Sequence, residues 1–228
     1  MDSPSIKEEL ENHPRRLQLI HHPLFDYLKT HPISRDQAAT LIGQWWHPLH
    51  YFPTFLARTI AASSSMEVKS ATARILFQEL GEGRSSQAHE SIYVTTMQEV
   101  GFTTSQIVEA EPLPATAALV GGYESASEAE STGVGFTYAT EMADLVIVSA
   151  LGTGIRQAVG AKSLPWVDIH VQQEPDHVQQ ANTAISQHFT QAQLTEMLAA
   201  AEEAWGLWCG YFDGVSGLID REKERGVR

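Results

Sequence analysis

The chain has 228 residues, 43% hydrophobic and 19% charged, enough apolar surface to bury one full core. A formal net charge of −13 and a pI of about 5.1 argue against a nucleic-acid backbone or an anionic membrane as partner. Cys209 is the only cysteine, which excludes internal disulfides and cysteine-based zinc sites and makes a reducing cytoplasm the expected compartment.

Residues 1–15 are charged and broken by prolines, which predicts a loose arm ahead of a single helical domain over 16–228. The first residues hold no apolar stretch of the signal-peptide kind, and the apolar run 145–148 is far too short to cross a bilayer. Over 16–30, Leu17, Ile20, Leu24, Phe25 and Leu28 recur at helical spacing, with Pro23 marking a fresh start. Ser34 is placed to cap a long helix over 35–62, in which Pro48 and Pro53 predict kinks. After the turn Ser63-Ser64-Ser65, a helix over 66–80 reaches a break at Gly81-Glu82-Gly83, and another runs over 85–100 to Gly101. Thr103-Thr104-Ser105 caps a short helix to Ala110, and Pro114 lies in the first turn of one ending near Gly121-Gly122. The small, acidic stretch 124–131 reads as a surface loop or a fraying helix. Residues 135–159 have the apolar density of a buried helix, with Gly152 and Gly154 as weak points. Pro165 opens the next helix, and Thr190 caps a last one to about Glu222. Strand-like alternation is rare, so the expected class is all-α, a bundle of about seven to nine helices.

The ten histidines cluster rather than scatter. On a helix, His170, Glu174 and His177 fall at i, i+4 and i+7, offset by about 0°, 40° and −20°, and project from one face. Two imidazoles and a carboxylate on one stripe suit a first-row transition metal with mixed nitrogen and oxygen ligands. An exposed polar face has the same composition, so the stripe needs further ligands to count.

Residues 77–83, Phe-Gln-Glu-Leu-Gly-Glu-Gly, followed by His89, are a second group. Glu82 and His89 are seven apart and would share a face of an unbroken helix. Glu79 and His89 are ten apart and need the glycines to bend the chain. Spacing leaves that choice open. Glu141 opens an apolar stretch, either as an N-terminal charge favoured by the helix dipole or as a buried ligand, and Asp144 one turn on competes for the role. Helical bundles hold two iron or manganese ions with such carboxylates and imidazoles. The paired Glu-x-x-His repeats of ferritin-like bundles and the His-Glu-x-x-His zinc motif are absent.

Taken in order, these residues resemble the heme-oxygenase-like diiron oxidases and oxygenases, whose fold is shared with thiaminase-related and pyrroloquinoline-quinone-synthase-like proteins. The family pattern is a glutamate, a histidine ten residues on across a glycine-rich break, a second glutamate, then His-x-x-x-(Asp/Glu)-x-x-His. Glu79, His89, Glu141, His170, Glu174 and His177 match it. Gln44-Trp45-Trp46-His47 and residues 51–57 are similar to the family's second-helix signature, so the resemblance runs over about residues 20–220. Two departures stand out. Glu174 occupies a position where many members have Asp, and the further carboxylate some members recruit from the preceding helix is missing, since no Asp or Glu lies between Asp36 and Glu67. His47 and His50 in that helix read first as surface or packing groups.

The resemblance implies a heme-oxygenase-like helical bundle with those six residues as ligands of two Fe(II) ions, and Glu82 and Asp144 as alternatives. It implies O2 as co-substrate, a peroxo-diiron(III) species, a small-molecule substrate, an external electron donor and a homodimer. Reactions in the resembled family include N-oxygenation and oxidative C–C cleavage of amino or fatty acids. The reading taken is an aromatic amino acid cleaved to a nitrile, in natural product biosynthesis. The alternatives are an N-oxygenase, a fatty-acid decarboxylase, or a metal-independent thiaminase-like or quinone-synthase-like enzyme. Trp45, Trp46, Tyr51, Phe52, Phe55, Tyr93, Phe136 and Tyr138 flank the ligand elements as core or as an aromatic pocket. Arg58, Arg74, Arg84 and Arg156 are candidate anchors for a substrate carboxylate.

Overall fold

The computed structural model describes residues 6–186 and 189–226, with side chains as far as residue 220. Helices α1 (Ile6–Glu11), α2 (Pro14–Ile20) and α3 (Pro23–Thr30) follow one another closely. Pro14 and Pro23 each sit in a first turn, where the missing N–H is not needed. His13 and His22 cap these turns, each Nδ1 accepting from the backbone N–H two residues on. The stretch expected as a loose arm is thus helical from residue 6, and Leu10 within it is fully buried; residues 1–5 lie outside the described residues.

Ser34 and Gln37 form a reciprocal capping box that starts α4 (Arg35–Ala62), which continues through Pro48 and Pro53. Ser65 caps α5 (Met66–Glu79). A short 3-10 turn, Ser85–Gln87, precedes α6 (His89–Glu99) and α7 (Thr104–Val108), so the helix expected over 85–100 begins only at His89. Helix α8 (Pro114–Ala126) passes through Gly121-Gly122 instead of ending there. A Cβ on Gly122 would collide with Leu207 of the last helix, so this glycine serves close approach rather than termination. Helix α9 (Glu130–Val159) takes up part of the stretch read as a loop and is unbroken at Gly152 and Gly154. Helix α10 (Pro165–Ile185) is continuous across Pro175, and Thr190 caps α11 (Gln191–Gly226).

The described residues form eleven α-helices and no strand. Seven of the eleven have eleven or more residues; prolines and caps divide the rest into short segments, which is why the count exceeds seven to nine.

Helix α9 is the axis of the bundle, packed by α11, α10, α4 and α3. It is long and apolar enough to cross a membrane, yet 72% of its most apolar window is buried inside the protein. Two buried aromatic side chains with paired polar ends tie helices of the bundle together. Trp205 Nε1 donates to the Ala139 carbonyl at 3.0 Å, joining α11 to α9, and Tyr93 Oη donates to the Ile42 carbonyl at 2.7 Å, joining α6 to α4.

The turn after α5 places the first part of the site. Gly81, Glu82 and Gly83 have φ of +74°, +54° and +84°, three left-handed residues in succession. The Gly81 N–H donates to Gln78 O and the Glu82 N–H to Phe77 O, closing the helix. A Cβ on Gly81 would overlap the backbone of Arg84, Gln87 and Ala88. Gly81→Ala is therefore expected to destabilise the protein by about 2 kcal/mol or more, read as a lower urea midpoint at unchanged slope.

Candidate metal centre

Four helices deliver one buried cluster. Glu79 ends α5, His89 begins α6, Glu141 and Asp144 lie inside α9, and His170, Glu174 and His177 share the inner face of α10. Glu79, His89, Glu141, His170, Glu174 and His177 are each 5% exposed or less, where an unpaired charge is costly. The glycine turn sets Glu79 Oε1 3.0 Å from His89 Nδ1. His177 Nδ1 lies 3.8 Å from the same oxygen and 3.2 Å from Glu141 Oε2. His170 Nε2 faces Asp144 Oδ2 at 3.9 Å, and the His89 and His170 rings are 4.7 Å apart. Glu141, Glu174 and His177 each offer one atom within 4.8 Å of the others, close enough to share one ion.

The geometry shows which of the alternatives reach the cluster. Glu79 joins the cluster, whereas Glu82 is solvent-exposed on the left-handed turn. Glu141 lies well inside α9, so the dipole explanation fails, because the helix begins at Glu130. Asp144 stands in the cluster beside Glu141 rather than in its place.

Two supports orient the imidazoles. Carbonyl oxygens only accept, so His170 Nδ1–H donates to Trp166 O and His89 Nε2–H to Gln173 Oε1, each at 2.8 Å. In the neutral imidazoles the remaining ring nitrogens, His170 Nε2 and His89 Nδ1, then turn lone pairs toward the carboxylates; without a metal, Glu79 favours the protonated form of His89. A histidine that holds a metal is oriented in this way. Gln173 escaped sequence reasoning, although its position one residue before Glu174 was the available signal. On the outer face of α10, Asp176 accepts from Arg74 Nε at 3.1 Å and pins that helix to α5.

Within this cluster the carboxylates and imidazoles shift one another's protonation strongly. Burial would raise Glu79, but the His89, His177 and His170 imidazoles outweigh it and hold its carboxyl down at about 2. Burial and the neighbouring Asp144 and Glu141 push Glu174 up to about 12, and burial with Glu79 nearby raises Asp144 to about 6. Burial also raises Glu141. His177 is raised to about 9 because Glu141 and Glu79 overcome the effect of burial, while burial and His89 lower His170 to about 4. Oε1 of Glu141, Oε1 of Glu174 and Oδ2 of Asp144 have no hydrogen-bond partner, an unusual concentration of orphaned acceptors. These donors fit a pair of first-row dications taking oxygen and imidazole ligands.

A small cavity of about 30 Å³ adjoins the cluster. Trp45, Pro48, Leu49 and Phe52 of α4, Tyr123 of α8, Thr140 of α9 and Trp208 of α11 line it, together with Glu79, Glu141, Asp144, His170 and His177. Tyr123 Oη and Thr140 Oγ1 are hydrogen-bonded at 2.7 Å. Of the eight aromatic residues flagged in the sequence, only Trp45 and Phe52 reach the chamber; Phe55, Tyr93, Phe136 and Tyr138 are core. Tyr123 and Trp208 were not anticipated, because only the long-range packing of α8 and α11 brings them there. None of the four candidate arginines lines it. Arg58 binds Ser127 and Glu124, Arg74 binds Asp176, Arg84 is exposed and Arg156 sits in the last turn of α9. His47 is held by the Ala110 carbonyl at 2.8 Å and exposed His50 by Glu90 at 2.9 Å, both away from the cluster.

The profile of the iron-containing redox enzymes, a haem-oxygenase-type family, matches residues 39–209. The chain belongs to that family. Solved structures carry the same fold at low identity. A heme-oxygenase-like domain of unknown function from Shewanella denitrificans superposes with a TM-score of 0.78 at 15% identity, covering 97% of this chain and 96% of that one. A TenA homologue from Pseudomonas syringae gives 0.73 at 14% identity, covering 94% and 93%. A CADD-like protein of unknown function from Nostoc punctiforme gives 0.72 at 14% identity, covering 92% and 95%. No protein with a curated description matches the chain. This member of the iron-containing redox family is thus a heme-oxygenase-like all-α bundle.

Two expectations follow. Glu174 and His177 hold protons in the folded state that the unfolded chain releases, so the stability they contribute is full below their unfolded values and lost as pH rises. His170 and Glu79 act in the opposite sense, but only below about pH 6.5. Above that value only the falling contributions remain, so the melting temperature of the chelator-treated protein should drop from pH 6.5 to 9, and Glu174→Gln should flatten the slope. Gln173→Ala should weaken metal binding by about 10–100-fold while the fold is kept, as read by metal titration and circular dichroism.

Proposed function

We propose that this iron-containing redox enzyme is a non-heme diiron oxidase that uses O2 to transform a small amino-acid-like substrate. The supporting observation is the convergence of four carboxylates and three histidines in a largely buried cluster, three of whose carboxylate oxygens have no hydrogen-bond partner. Glu141, Glu174 and His177 would hold one ion; Glu79, His89 and His170 would hold the other. When bound, two ferrous ions supply the electrons that reduce O2 and the oxidising power that acts on the substrate.

The chain's own contribution is orientation and exclusion of water. The indoles of Trp45 and Trp208 and the ring of Phe52 form a dry wall suited to a flat apolar group. The Tyr123–Thr140 hydroxyl pair is a fixed polar point on that wall. The buried indole N–H of Trp45 has no hydrogen-bond partner and is an unused donor on the wall. With no lysine or arginine lining the chamber, a substrate carboxylate has no guanidinium to grip, contrary to the sequence expectation. The most specific form of this reading is an aromatic amino acid whose ring lies on the wall and which undergoes C–C cleavage to a nitrile, with an external donor renewing the electrons in the cytoplasm. A cavity of 30 Å³ has room for about one water molecule, so the side chains of the wall must part to admit any amino acid.

Anaerobic reconstitution is expected to give about two iron per chain, and His170→Ala should lose iron with little loss of thermal stability. Oxygen consumption by the iron-loaded protein against a panel of amino and fatty acids, with products read by mass spectrometry, then selects the substrate. Failure of the folded wild-type protein to take up iron would sink the proposal.

A further inference from the structure

We propose that Asp144 is a seventh protein ligand of the two-metal centre, supplying the carboxylate that is missing from α4. The inference rests on the diiron reading and extends it to a residue outside the six-residue pattern.

Asp144 lies one turn beyond Glu141 on α9, so both carboxyl groups point to the same side of the helix. It lines the chamber, and its Oδ2 has no hydrogen-bond partner. That oxygen is 3.9 Å from His170 Nε2. Because His170 Nδ1–H is committed to the Trp166 carbonyl, Nε2 presents a lone pair, and two acceptors face each other across the gap. The separation is too long for a hydrogen bond and a little under two metal–ligand bonds of about 2.1 Å. Glu174, 2% exposed and with an orphaned Oε1, contacts Asp144 from the opposite helix.

Charge balance points the same way. Glu79, Glu141 and Glu174 bring three negative charges, one short of two dications. Neutral imidazoles add none, and no Lys or Arg lines the chamber. Asp144 is the only other carboxylate among the lining residues and completes the count. In helix α4, no Asp or Glu follows Asp36, near its start. The fourth carboxylate has therefore come from the central helix instead.

The test compares wild-type protein with Asp144→Asn by anaerobic Mn(II) titration, with electron paramagnetic resonance of the loaded forms. The expected result is two equivalents and an exchange-coupled signal for the wild type. The variant should bind one equivalent with near wild-type affinity and the second at least tenfold more weakly, with an uncoupled mononuclear signal. Its metal-free melting temperature should equal or exceed that of the wild type, since an amide replaces a carboxyl group beside Glu174. Two equivalents at wild-type affinity in the variant would overturn the assignment of Asp144 alone. A lower metal-free melting temperature with both equivalents lost together would overturn it in favour of a structural aspartate. A folded wild-type protein that binds no Mn(II) would overturn the diiron reading with it.

Discussion

Carboxyl groups repel one another most strongly where water cannot reach them, and this protein gathers four of them in one largely buried cluster, three buried and Asp144 partly so. Without compensating charge such an arrangement has no reason to persist. Protons on Glu174 and His177 are one compensation, and metal ions would be another. The rest of the architecture serves this constraint. Helix α9 carries two of the acids through the middle of the bundle, and α10 faces them with a rigid stripe of three donors. The Trp166 and Gln173 oxygens fix which ring nitrogen each supported histidine turns inward. Stability is given up at this point and recovered in the aromatic core around it, where Trp205 and Tyr93 bury both ring and polar end without loss.

What the sequence revealed, and what it hid, divides along the range of the interactions. Helix starts were legible because caps are local: Ser34 with Gln37, Thr103 with Gln106 and Thr190 with Gln193 each read within four residues. The stripe on α10 was legible because a regular helix converts spacing into direction. The choice between Glu79 and Glu82 was not, because three consecutive left-handed residues fall outside any helical period. Glu141 could be read either as a helix-start charge or as a buried ligand, since the small and acidic residues 124–131 hid the true start of the helix at Glu130. There Gly133 and Gly135 instead let Thr59 and the Met197 carbonyl approach the central helix, and tertiary packing overrides local preference. The chamber wall was the least legible part. Trp208 and Tyr123 reach it only because α11 and α8 close on α4 and α9, which no window of residues encodes.

The same division bears on function. The residues of the candidate metal centre lie on helices held by buried contacts, while the chamber wall is assembled from four different helices. Structures at 14–15% identity share the bundle, so the scaffold persists while most of its side chains differ. Fold alone says little about chemistry here, and the donors at the centre say more.

The left-handed turn between α5 and α6 also governs how the gene can change length. On α10, one inserted residue would swing a histidine about 100° off the cluster, so that helix tolerates no gain or loss between its three donors. Beyond Gly81 the connection behaves differently. Gly83 has open space around it, and residues 84–87 are exposed. Insertions are absorbed best in such open, exposed backbone, as long as Gly81 still reverses the chain and His89 still begins its helix. Drift in chain length near the centre should accumulate in this short link and stay out of the helix opposite.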